Sequence, residues 1–193
     1  LALHAEGEDY MAADPIALPA IRPWRHEDPA LYTVALVLRD ANGAELETVR
    51  YKTGFRRFAL IDGVMRHNGE RIYFNGVNRH EWNPAAGRAI GPEDMRRAIE
   101  TFKAANINAV RTCHYPNQSL WYDLCDEAGI YMIDETNLES HGTWQKRGAI
   151  DPDWNVPGSK PEWLACVLDR ARSMFERDKN HAAVLLWSCG NES

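Results

Sequence analysis

The residues best suited to polar chemistry gather at four points of the chain. His80 is the first. Arg111, Cys113 and His114 form the second group. Glu135, Glu139 and His141 form the third, and Asn191 and Glu192 the fourth. Carboxyl groups exchange protons, imidazoles bind protons or metals, and a guanidinium fixes a carboxylate in place. Taken singly, each has an ordinary explanation. Glu139-x-His141 is a weak metal signal, because acids in a long loop are usually solvated. Arg111 could simply pair with a buried acid. Glu192 follows a mostly apolar run, where burying an unpartnered carboxylate costs several kcal/mol, about 3–5. That run makes a structural role harder to accept.

What sets these residues apart is where they fall. Each group lies just beyond an apolar, β-rich stretch. Strands are expected near Ile72–Val77, Ile107–Thr112, Ile130–Asp134 and Ala182–Ser188. Helical patterns separate them. Pro92 suits a first helical turn, with Glu93 and Asp94 at its positive end. Met95, Ala98, Ile99, Phe102 and Ala105 then share one apolar face. A second helix is expected from about Ser119 to Ala128, ended by Gly129. A third buries Leu164, Val167, Leu168, Ala171, Met174 and Phe175, with Ser159 and Glu162 spaced as a capping box. Alternating strands and helices imply a parallel sheet. In a parallel α/β barrel the strand ends share one face, and chemistry sits there. Scattered surface polar residues would not collect at one end of every strand.

Upstream the grammar is different. Residues 1–30 are irregular and punctuated by Pro15, Pro19, Pro23 and Pro29. Leu31–Leu38, Glu45–Tyr51 and Phe55–Ile61 read as strands, with a hairpin at Asn42-Gly43. A second hairpin, at Asn68-Gly69, joins Val64–His67 to Arg71–Phe74. The expected division is residues 1–62, the end of an antiparallel β-sandwich of Ig-like type with an irregular start, and residues 63–193, the α/β part. Residues 136–160 form a loop long enough to be functional. Trp82, Tyr115, Trp144 and Trp154 lie in or near the candidate-face loops, where aromatic rings could stack on sugar CH faces. Trp121 and Trp163 sit in helices and suit packing.

Composition narrows the possibilities. The chain has 193 residues, is 45% hydrophobic and carries a net charge of −6. This is globular, and without a basic block nucleic acid is not an expected partner. No apolar run is long enough to span a bilayer, so no membrane partner is expected. The four cysteines are dispersed with no CxxC pair. Free thiols in a reducing compartment are the simpler reading, which places the protein in the cytoplasm. The length falls short of the roughly 250 residues of a complete eight-stranded barrel. The first residue is Leu1, not Met, so the true start is expected to be missing.

Two long motifs carry a family resemblance. Asn108-Ala-Val-Arg-Thr-Cys-His114-Tyr-Pro116, followed by Trp121-Tyr and Asp126-Glu-Ala-Gly129, resembles one signature of glycoside hydrolase family 2. Asp178-Lys-Asn-His181-Ala-Ala-Val-Leu-Leu-Trp187-Ser-Cys-Gly-Asn191-Glu192 resembles its acid/base signature. Gly76-Val-Asn-Arg-His80-Glu81 and Asp134-Glu-Thr-Asn-Leu-Glu139-Ser-His141-Gly142 are similar to the large bacterial β-galactosidases of that family. The resemblance runs from about Leu31 to the end, with little from residues 1–30. Residues 154–161 look longer than the corresponding loop of the best-known form.

The resemblance implies a retaining glycosidase on a (β/α)₈ TIM barrel preceded by β-sandwich domains. Glu192 then matches the general acid/base, and Asn191 the neighbour that contacts the sugar. Glu139, His141 and Glu192 match the ligands of a Mg²⁺ ion, with Mn²⁺ an alternative occupant. The ligands of a possible Na⁺ would lie outside this chain. His80 and His114 match residues that contact the galactosyl unit and stabilise the transition state. Arg111 matches an arginine that orients the nucleophilic carboxylate. Neither Glu81 nor Glu135 matches that nucleophile, which is expected on a later strand. The chain is thus expected to hold the first half of the barrel, with the isolated fragment inactive. The expected substrate is a terminal β-D-galactoside such as lactose, and the full-length protein a homo-oligomer. Another family 2 glycosidase (a β-glucuronidase or β-mannosidase) and a non-catalytic carbohydrate-binding fragment stay open. A metal-dependent amidohydrolase barrel fits less well, because no HxH pair follows the first barrel strand.

Overall fold

A computed structural model describes residues 3–5, 11–13, 15–18, 20–141, 145–146, 149–150 and 155–193. Its N-terminal part is antiparallel. Strands β1 (Leu3–Ala5) and β2 (Met11–Ala13) pair with each other. A long hairpin follows, β3 (Tyr32–Arg39) with β4 (Glu45–Thr53). Its turn places Gly43 at φ 84°, as the Asn42-Gly43 pair implies. Strands β5 (Phe58–Ile61), β6 (Val64–His67) and β7 (Glu70–Arg71) form a three-stranded sheet. Its second turn sets both Asn68 and Gly69 at positive φ.

The C-terminal part is a four-stranded sheet in the order β13-β10-β9-β8, every pairing parallel. Its strands are β8 (Gly76–Arg79), β9 (Ala109–Thr112), β10 (Tyr131–Glu135) and β13 (Val184–Ser188). Helix α1 (Pro92–Ala104) joins β8 to β9, and α2 (Ser119–Ala128) joins β9 to β10. Short strands β11 (Gln145–Lys146) and β12 (Ala149–Ile150) pair within the long loop, before α3 (Leu164–Asp178) leads into β13. Strands β8 and β13 each have one neighbour in this sheet, so both are edges among the described residues.

The core lies between this sheet and its helices. Trp121, Tyr122, Met95, Val110, Ile130, Met132 and Val184 are all nearly fully buried. Trp24, from the irregular N-terminal segment, is buried with them and donates its indole N–H to the Asp126 carbonyl at 2.8 Å. Gly129 caps α2 at φ 71°, and a Cβ there would come within 2.3 Å of the His26 carbonyl oxygen. The N-terminal segment therefore packs against the end of α2, and only a glycine permits that approach.

Four expectations need correction. The first parallel strand begins at Gly76, not Ile72, because the amide of Ile72 is spent on the Met65 carbonyl of the preceding sheet. Ser159 and Glu162 form no capping box. The helix is entered through a 3₁₀ turn at Pro161–Trp163 with no side-chain cap. The apolar stripe of α3 is only partly covered among the described residues: Met174 is buried and the Phe175 ring meets Trp187 of β13 with centroids 5.1 Å apart, but Leu164, Leu168 and one side of Phe175 stay exposed. Trp163, expected to pack, is exposed as well, in the 3₁₀ turn that leads into the helix.

Candidate active site

The parallel register brings the four polar groups together. Arg79 pairs with Thr112, Arg111 with Ile133, and Glu135 with Ser188, so the C-terminal ends of the strands are nearly level. His80, Arg111, Glu135 and the segment after Ser188 thus meet at one rim.

Alternation along β10 sorts its two acids. Successive side chains point to opposite faces of a sheet. Asp134 faces the helices, where it accepts hydrogen bonds from Tyr122 (2.7 Å) and Thr112 (3.2 Å). Burial first, and then the nearby Asp178, push its carboxyl up to about 7. Glu135 points the other way. It is fully buried and accepts from Arg111 Nε (2.6 Å), His114 Nδ1 (2.7 Å) and Ser188 Oγ (2.7 Å). Burial alone would raise its pKa. The Ser188, His114 and Arg111 donors outweigh that effect and hold it below the ordinary glutamate value. Glu135 is therefore an anion with its oxygens occupied, suited to positioning rather than attack.

Arg111 spreads its guanidinium over three acceptors. Besides Glu135 it donates to Asn191 Oδ1 at 2.8 Å and Asn78 Oδ1 at 3.3 Å. Asn191 passes the connection on, donating through Nδ2 to Glu139 Oε2 at 2.6 Å. Its amide also donates to the Leu138 carbonyl at 2.8 Å, forming a parallel bridge between Glu139 and Asn191. The loop after β10 and the turn after β13 are locked together at this point.

Glu139, His141 and Glu192 complete the cluster. His141 Nδ1 lies 2.5 Å from Glu139 Oε1 and 3.2 Å from Glu192 Oε2. One donor atom from each residue fits within 4.8 Å of the others. Hydrogen bonding to Glu139 raises the His141 pKa above its usual value. Glu192 is not buried, contrary to the inference from its apolar strand: its side chain is 56% exposed. Strand β13 ends at Ser188, and Gly190, at φ 145°, turns the chain outward. A Cβ on Gly190 would lie 2.7 Å from the Leu138 carbonyl oxygen. Two carboxylates and an imidazole, open to water for the remaining positions, form a donor set that fits a hard divalent cation such as Mg²⁺ or Mn²⁺.

His80 and His114 face each other edge to face, with ring centroids 5.5 Å apart. His80 is exposed, and its Nδ1 lies 3.4 Å from the Tyr115 hydroxyl. Burial, then the neighbouring His114 and Arg88, lower its pKa. Trp82 is exposed nearby in sequence, while Trp144 and Trp154 lie outside the described residues. Glu81 turns away from this rim and accepts the Gln118 amide at the start of α2 (3.0 Å). His80, Arg111, His114, Glu135, Glu139, His141, Asn191 and Glu192 are brought together at the rim. Ser188 and Asn78 were missed, because a lone serine or asparagine at a strand end carries no signal until its partner is known.

Residues 58–193 match the family model described as "Glycosyl hydrolases family 2, TIM barrel domain", and residues 2–56 match "Glycosyl hydrolases family 2". The similarity therefore reaches into residues 1–30, where the motifs carried little of it. The chain is 59% identical over 88% of its length to a beta-galactosidase of Halalkalibacterium halodurans, of which it covers 17%. It is 60% identical over 90% of its length to that of Clostridium acetobutylicum, covering 19% of it. With the beta-galactosidase large subunit of Lactobacillus acidophilus the identity is 54% over 91% of the chain, covering 28% of that subunit. The chain thus spans less than a third of these relatives' length. Among solved structures, the beta-glucuronidase of Ruminococcus gnavus superposes with a TM-score of 0.80. It is 30% identical over 89% of this chain, which covers 29% of that one.

Proposed function

The chain belongs to glycosyl hydrolase family 2 and carries part of its TIM barrel preceded by its sandwich domain, and on that premise we propose that the protein it forms part of is a retaining β-galactosidase. The observation that carries this reading is the gathering of Glu139, His141 and Glu192 at the C-terminal end of the parallel sheet. Identities of 52–60% to beta-galactosidases support the galactoside substrate. The runner-up is a β-glucuronidase, favoured by the Ruminococcus gnavus structures but at 30–31% identity.

Glu192 acts as the general acid. It gives its proton to the glycosidic oxygen as the leaving group departs, then takes one from the incoming water. Its exposure leaves room for the leaving group. Asn191 presents its amide to the sugar beside the cleaved bond, held by Arg111 and Glu139. His80 and His114 contact the galactosyl unit, and Glu135 fixes the ring of His114. The nucleophilic carboxylate comes from a later part of the protein, about 5 Å from Glu192. Arg111 has five N–H donors. Nε and one on each terminal nitrogen are taken. Two remain to orient that nucleophile. Glu139, His141 and Glu192 would hold the divalent cation, whose positive charge beside Glu192 favours the ionised acid after proton transfer.

Lactose as substrate, a cytoplasmic location and a homo-oligomeric assembly belong to the same proposal. A panel of aryl glycosides tests the sugar preference, using a protein that carries this chain at the length of its relatives. The β-galactoside should lead the β-glucuronide and β-mannoside in kcat/KM by about 10²-fold or more. Preference for the glucuronide would replace this reading with the runner-up.

A further inference from the structure

Beside the carboxylate cluster lies a second donor set of different character. His80, Cys113 and His114 each offer one ligand atom, all within 4.8 Å of one another. We propose that these three residues form a binding site for a thiophilic divalent cation of the Zn²⁺ class, distinct from the Glu139–His141–Glu192 set.

Donor chemistry separates the two sites. Two imidazoles and a thiol are borderline to soft ligands that select Zn²⁺, Co²⁺ or Cd²⁺ over Mg²⁺. Orientation supports the assignment. The Nδ1 of His114 is held at 2.7 Å by Glu135, a fully buried carboxylate. Its Nε2 is left for a metal, and a carboxylate that steers a ligand histidine is the usual outer partner of a zinc site. The Nδ1 of His80 lies near the Tyr115 hydroxyl, leaving Nε2 on that ring as well. In a tetrahedral zinc site, bonds of about 2.0–2.3 Å put donors roughly 3.3–3.7 Å apart. Donors within 4.8 Å of one another therefore need to close by no more than about 1.5 Å. His80 is exposed and can make that movement, and water can take the fourth position. On coordination the S–H bond of Cys113 breaks, its proton passes to solvent, and the thiolate binds the metal.

The binding claim stands apart from the glycosidase reading, but its consequence rests on it. A metal that ties down His80 and His114 removes both imidazoles from the galactosyl unit. Zn²⁺ would then inhibit competitively with substrate while Mg²⁺ supports activity.

The test titrates Co²⁺ into a protein that carries this chain at the length of its relatives, with Mg²⁺ in large excess, and reads the thiolate-to-cobalt charge-transfer band. This band requires sulfur ligation and no activity, so its failure is separate from failure of the galactosidase reading. The expected result is a band that saturates at one Co²⁺ per chain. It should vanish in Cys113→Ser, persist in Cys189→Ser and need at least about tenfold more Co²⁺ in His80→Ala and Glu135→Gln. His80 is exposed, so its variant remains informative if Cys113→Ser does not fold. No band, a band surviving Cys113→Ser, a band lost in Cys189→Ser, or unchanged affinity in His80→Ala would each overturn the proposal.

Discussion

Glu135 holds His114 by a 2.7 Å hydrogen bond from the ring Nδ1, and does so as a fully buried carboxylate. The same carboxylate takes Arg111 on its other oxygen, so one acid fixes two residues of the rim. Removing it strands a buried-side guanidinium and frees an imidazole. Glu135→Ala should lower stability by about 3–5 kcal/mol, read as a shifted urea midpoint. In the active protein Glu135→Gln should lower kcat by about 10²-fold, since small misplacements of reacting groups cost that much. Wild-type kcat in that variant would deny Glu135 a positioning role.

Gly129 offers a test of how the N-terminal segment docks. A methyl group there meets the His26 carbonyl at 2.3 Å, on a backbone already at φ 71°. Gly129→Ala should cost at least ~2 kcal/mol in chemical denaturation. Gly63 is the control: it has φ 73° but nothing within 4 Å of a Cβ. Gly63→Ala should cost only the conformational part, about 1 kcal/mol. Equal losses would mean that the contact with His26 does not matter.

Acid should weaken the fold through His67. Its ring packs edge to face on Trp24 and Tyr131, and its Nε2 is buried without a hydrogen-bond partner among the described residues. Burial, then the charges of Arg56 and Arg25, lower its pKa to about 4. The unfolded chain protonates it near the ordinary 6.5, so the unfolded state binds more protons between those values. Its contribution is complete above pH 6.5 and declines as pH falls toward 4. Comparing Tm at pH 7 and pH 4.5 should show a smaller drop in His67→Phe than in wild type. The same drop in both would assign the acid sensitivity to other groups.

The carboxylate cluster should respond to metal in the active protein. Chelation should lower activity, and Mg²⁺ or Mn²⁺ should restore it. Glu139→Gln should need at least about tenfold more Mg²⁺ for half-maximal activity. An unaltered Mg²⁺ requirement would remove Glu139 from the ligand set.

The sequence was most legible where one local rule decided the outcome. Helix α2 and its Gly129 cap fall where periodicity and the glycine put them, and both Asn-Gly turns form. It was least legible where partners lie far apart in the chain. The apolar strand before Glu192 suggested burial, but a turn at Gly190 against Leu138 lifts the side chain into solvent. The stripe on α3 has helical spacing, yet spacing does not say what covers it. The rim residues were visible as positions after strands. The wiring among Arg111, Glu135, Asn191 and Glu139 was not, because it depends on the register of three strands.

Glu192 as proton donor is the central assignment, and leaving-group dependence tests it most directly. The measurement compares wild type with Glu192→Gln, in a protein carrying this chain at the length of its relatives. The substrates are a β-galactoside with an alkyl or sugar leaving group and an activated aryl β-galactoside. Turnover of the first should fall by about 10²–10⁴-fold, the usual contribution of a general acid. Cleavage of the activated aryl bond should fall far less, because its leaving group departs without a proton. An equal loss on both substrates, or no loss on the first, would contradict the assignment of Glu192 as the acid.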